Sequence, residues 1–242
     1  MDVENADLTG STFRACDLSR LKVVDSRLSD VSISGDLRRF VVNDVDVTGF
    51  VEAELDRRHP ERVALREMRT AADYRAMWTM IETLWAATVD RASRLSPELV
   101  HERVDGEWSF VETLRHLIFA TDAWAARTIL DAPMPYHRFA LPQTSYPAPE
   151  ALGVDVGARP QLDEVLAVRA ERLALVRRIV GGLSDEDLAR PCKRSPAPGY
   201  PEEPRPVGRC LRVVMNEECE HRRYAVRDLA VLERHFARTS GR

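Results

Sequence analysis

Four stretches of this 242-residue chain carry apolar side chains at helical spacing, which directs it toward a mainly α fold. The first covers residues 67–93, where Tyr74, Met77, Trp78, Ile81, Leu84, Trp85 and Val89 recur three or four positions apart. At 3.6 residues per turn these gather on one side of a helix. The second starts after Ser109, a suitable N-cap with Glu112 three positions on, and runs to about residue 130, before Pro133 and Pro135. The third covers 162–180 and is stopped by Gly181 and Gly182. The fourth covers 207–236. A single capped turn is expected at 184–188. The Pro-rich connections 132–160 and 191–206 are too long for tight bundle turns, and long ordered loops often wall a site.

Residues 1–55 follow another rule. Leu8, Phe13, Leu18, Val23, Leu28 and Ile33 recur every five positions, and after a one-residue slip Leu37, Val42 and Val47 resume the count. Mostly small residues precede the early members by two: Ala6, Ser11, Cys16, Leu21, Ser26 and Val31. A period of five suits neither a helix nor a flat strand, but a chain that turns a corner every five residues. The segment resembles the pentapeptide-repeat family, most clearly in Ala-Asp-Leu-Thr-Gly at 6–10. The resemblance implies a short right-handed quadrilateral β-helix. At about two coils it is expected to dock on the next domain, because repeat units need neighbours to bury their open ends. A charged connector at 56–62, broken by Pro60, separates it from the bundle.

The fourth helical pattern contains an anomaly. Its apolar stripe includes Cys210, Val213, Val214, Tyr224, Ala225, Leu229 and Leu232, and continuing that stripe through its middle puts Glu217 and His221 on the same face. A carboxylate aimed into a bundle interior costs several kcal/mol, roughly, unless paired or bound to metal. A metal ion satisfies both groups, and imidazole and carboxylate both suit zinc. A buried Glu–His pair that only orders the core is the alternative. His116 on the second helix is a candidate third ligand, although it lies off the centre of that helix's apolar side, nearer Ala120 and Ala123. Cys219 points about 200 degrees away from Glu217, and Cys210 reads as packing. His59, His101, His137 and His235 fall in connectors or at a helix end and read as surface residues. His137 is the exception to watch, since its loop could reach a metal.

The stretch from Glu107 to Trp124, with its Trp-Ser start before His116, resembles the second helix of the DinB superfamily, and that from Glu217 to Leu229 resembles its last helix. The resemblance spans residues 66–236 and implies a DinB-like four-helix bundle at 66–238. Mycothiol-dependent maleylpyruvate isomerases pair one helix-two histidine with Glu-x-x-x-His, the pattern found here. The resemblance therefore implies metal ligands His116, Glu217 and His221. It implies a divalent metal, zinc first with nickel or iron as alternatives, and a low-molecular-weight thiol such as mycothiol activated for attack on an electrophile. Arg222, Arg223 and Arg227 could hold an acidic substrate, with Arg222 and Arg227 the cofactor-binding candidates, though solvent-facing helix charge is the plainer account of each. Tyr224 reads as a core residue. A homodimer is implied by resemblance only.

A net charge of −4 gives no basic field for nucleic acid or an acidic membrane. The acidic N-terminus is not expected to be a signal peptide, and no apolar run of about 18 residues is present. Cys16, Cys192, Cys210 and Cys219 lack CxxC spacing, which points to reduced thiols and a cytoplasmic protein. Three functions follow: a metal-dependent thiol S-transferase or isomerase, a binding or scaffold protein that uses the five-residue-period segment, and, ranked lowest, an accessory domain like the metal-binding half of sulfoxide synthases acting on histidine betaine.

Overall fold

The computed structural model describes the backbone of residues 2–240 and side chains through 234. The chain divides into two units, Met1–Thr48 and Gly49–Arg242.

The first unit turns on the five-residue period. Asn5, Gly10, Ala15, Arg20, Asp25 and Asp30 all have positive φ, one per repeat. Leu8 and Leu18 carbonyls accept from the Ser11 and Leu21 N–H groups at 3.0 Å, closing turns three residues on. Asp7 and Asp17 carboxylates accept from the backbone N–H two residues later, bracing the same corners. The expected β-helix is nevertheless absent. Residues 2–40 contain no strand, and the row from Leu8 to Ile33 is 44–63% exposed. Four sides of five residues make a coil of about twenty, so this row supplies little more than one, and a solenoid needs several stacked coils to form ladders and bury its row. The unit's strands are β1 (Val41–Val42) and β2 (Val45–Asp46), an antiparallel hairpin turned by Asn43 and Asp44, both at positive φ.

Two helices follow, α1 (Thr48–Arg58) and α2 (Glu61–Glu67), divided near Pro60; the first replaces the end of the expected β-helical segment at 48–55, and both take residues from the expected connector at 56–62. The bundle follows: α3 (Ala71–Ala92), α4 (Phe110–Thr121), α5 (Leu162–Gly181) and α6 (Val207–Ser240). Thr70 with Asp73, and Ser109 with Glu112, form capping boxes that fix the starts of α3 and α4. The core joins Trp78, Ile81 and Trp85 of α3 to Leu114, Leu117 and Ile118 of α4, Val165 and Val176 of α5, and Leu211 and Met215 of α6. Arg169 of α5 and Glu218 of α6 cross that core as a buried bidentate pair, both bonds 2.8 Å.

Past Thr121 the helix widens into a π segment, Asp122–Ile129. The buried Asp122 carboxylate accepts from Arg172 Nε and from the His137 N–H, both at 2.9 Å. These contacts tie the widened turn to α5 and to the following connection. The two Pro-rich connections are also tied together, by Tyr136 and Tyr146 hydroxyls donating to the Pro196 and Pro198 carbonyls. β3 (Pro191–Cys192) pairs with β4 (Arg205–Pro206) and leads into α6. Among the described residues, no helix is long and apolar enough to cross a membrane.

Candidate metal centre

α4 brings His116, and α6 brings Glu217 and His221, so that their ligand atoms all lie within 4.8 Å of one another. The i,i+4 spacing on α6 stacks the last two on one face, as the helix period predicts. Glu217 Oε2 stands 3.1 Å from His221 Nε2 and 3.3 Å from His116 Nε2. Two atoms each bound at ~2.0–2.1 Å to a tetrahedral zinc ion lie about 3.3 Å apart, so both spacings suit shared coordination.

His116 is buried despite its off-centre place on the helical wheel. Its Nδ1 lies 2.9 Å from the Leu141 carbonyl, which can only accept, so Nδ1 carries a proton. In the neutral ring Nε2 then presents a lone pair toward a carboxylate oxygen. Only a proton or a cation between those atoms relieves the opposition, and the donor set of two imidazoles and one carboxylate suits a divalent cation. Burial by itself would raise the Glu217 carboxyl, but where a proton occupies His116 Nε2, hydrogen bonds from both imidazoles outweigh it and hold the group at about 2. The carboxylate is thus charged and ready to bind a cation throughout the neutral range.

Aromatic rings surround the group. Trp108 lies over both imidazoles, 4.7 Å from His116 and 5.9 Å from His221 between ring centroids. Phe119 approaches His116, and Tyr224 meets His221 edge-on. Glu217 keeps 31% of its side-chain exposure against 9% for His116, so the site is walled on the α4 side and more open at the carboxylate.

The remaining candidates separate. Arg227 stacks on Tyr224 and pairs with Asp228, and Arg223 stacks on the same ring, donates to its hydroxyl and pairs with Glu220. Both arginines therefore border His221 through Tyr224. Arg222 is not brought there: it donates to the Leu84 carbonyl, Thr88 Oγ1 and Glu61, tying α6 to α3 and α2. Burial pushes the Cys219 and Cys210 thiols up to about 12, with carboxylates including Glu61 adding to it at Cys219 and Cys192 at Cys210. Neither is a ready nucleophile. The His137 loop does reach the centre, but through the Leu141 carbonyl. His137 itself accepts from the Phe139 N–H. His59 lies 3.6 Å from Glu61, His101 borders a separate cavity, and the side chain of His235 lies outside the described residues. Sequence reasoning missed Trp108 and Leu141 as supports. The Trp-Ser pair at the start of α4, with Ser109 as its cap, was a signal for the first, whereas a backbone carbonyl leaves none.

The family model of the DinB superfamily matches residues 80–225, a span that contains all three candidate ligands. No curated protein and no solved structure matches the chain.

Proposed function

The chain belongs to the DinB superfamily, and from that membership we propose that it is a metal-dependent enzyme, a low-molecular-weight-thiol S-transferase or isomerase. The observation that carries the metal reading is the convergence of His116 Nε2 and His221 Nε2 on one Glu217 oxygen. Three protein ligands leave a tetrahedral ion one further position, and a divalent ion there, zinc first with nickel or iron as alternatives, would favour the thiolate form of a bound thiol. The chain's own part is to position. The Leu141 carbonyl fixes the orientation of His116, and Trp108 holds both imidazoles. Arg227 and Arg223, stacked on Tyr224 beside His221, are proposed to hold an acidic group of a thiol such as mycothiol or of its electrophile. Arg222, the other cofactor candidate, serves α6 instead.

Elemental analysis of native protein tests the first step. About one divalent ion per chain is expected, and it should be lost in His221→Ala. A protein that holds no metal and gains none on adding zinc would sink the reading. A panel of thiols and electrophiles on the metal-loaded sample tests the second.

The exposed row from Leu8 to Ile33 favours a second reading, a protein-interaction module in residues 1–48 with the bundle non-catalytic. That reading expects no turnover with any thiol and electrophile pair, and a purified partner whose binding is lost when residues 1–48 are removed.

A further inference from the structure

A second cavity, of about 320 Å3, opens on another side of α4, between the turn at His101 and the chain near Arg159. Its wall includes Arg103, Glu112, Arg115 and Val156 as well as those two residues. Arg115 is 2% exposed, and its guanidinium donates to the carbonyls of Phe139, Asp155, Val156 and Ala158. Those oxygens satisfy its N–H groups but bring no counter-charge. Glu112 is already taken by two bonds from Arg103 and one from the Ser109 N–H. Arg159 is exposed and makes no ion pair among the described residues. Guanidiniums outnumber carboxylates three to two, even when the nearby Asp155 is counted. Burial and then the Arg159 charge push the His101 imidazole down, against Glu112.

We propose that this cavity binds a small organic anion, whose carboxylate or phosphate group sits between Arg159 and His101 above the buried Arg115. An anion there supplies the missing counter-charge by charge-assisted hydrogen bonds, and Val111 and Val156 offer its carbon skeleton an apolar wall. The site is separate from the metal centre and does not depend on the thiol chemistry.

Titration calorimetry of the full chain with inorganic phosphate and, separately, with succinate tests this, and the stronger probe tells phosphate from carboxylate ligands. Saturable binding is expected for at least one. It should weaken at least tenfold in Arg159→Ala and recover in part in Arg159→Lys; because Arg159 is exposed, neither change should unfold the protein. The same isotherm is expected in His221→Ala. Flat isotherms with both probes at millimolar concentration would overturn the proposal. So would unchanged binding in Arg159→Ala, or a signal that disappears only in His221→Ala, since both place the anion elsewhere.

Discussion

Glu217 decides the chemistry of the centre because one of its oxygens serves two imidazoles. Replacing it by Gln keeps the shape and removes the charge. Zinc affinity is expected to fall by at least tenfold in Glu217→Gln, read by competition with a chromophoric chelator. In metal-free protein the same carboxylate links stability to pH. Its folded value, about 2, lies below its ordinary 4.5, so its contribution is complete above about 4.5 and is lost as pH falls toward 2. The difference in urea midpoint between wild type and Glu217→Gln should therefore be larger at about pH 5 than near pH 2. The thiols give an independent check on burial. Iodoacetamide at pH 8 should label the exposed Cys16 and leave Cys210 and Cys219 unmodified until the protein is denatured, as mass spectrometry would show. Glu217 and His221 were legible in the sequence because a four-residue spacing on an apolar stripe is a local property. His116 was legible mainly by resemblance. The Leu141 carbonyl was not legible at all, because its place depends on how a long connection returns to α4.

The helices follow from their patterns because each combines an apolar stripe with chemical stop and start signals. Ser109 and Glu112 start α4 as expected, and Gly181 ends α5. Ser109→Ala removes the side-chain acceptor of that cap and should cost about 1 kcal/mol in chemical denaturation. The π segment after Thr121 was not legible, because the groups that hold Asp122, Arg172 and the His137 N–H, come from a distant helix and a loop. The Arg169–Glu218 pair escaped notice for a similar reason: Glu218 borders a ligand in sequence, while its partner lies 49 residues away. Both side chains are almost fully buried, at 4% and 1% exposure. Removing one partner strands the other charge, so Glu218→Ala should destabilise the bundle by ~3–5 kcal/mol. Replacing both together, as Arg169→Met with Glu218→Leu, should restore most of that loss, because two apolar side chains of similar size need no counter-charge. If the double variant is no more stable than the single one, the pair also supplies packing that Met and Leu cannot reproduce.

On the scale of the whole chain, two kinds of periodicity lead to two kinds of outcome. A helical stripe is satisfied by three other helices within the same unit, so its apolar residues are buried. A five-residue period is satisfied only by further coils, and here there are too few, so its corners form while its row stays exposed. The sequence therefore revealed the turning rhythm of residues 1–48 but overstated their capacity to bury a core. The continuous hydrophobic core runs from Leu65 to Leu229 and lies wholly in the second unit, with all three candidate ligands inside that span. Stability and metal binding should accordingly belong to that unit. A chain of residues 49–242 is expected to unfold in one cooperative thermal transition, monitored by circular dichroism at 222 nm, with a midpoint within a few degrees of the full chain's. It should also retain the same metal content. A fragment that does not fold, or that folds but loses its ion, would show that residues 1–48 contribute to the centre's stability.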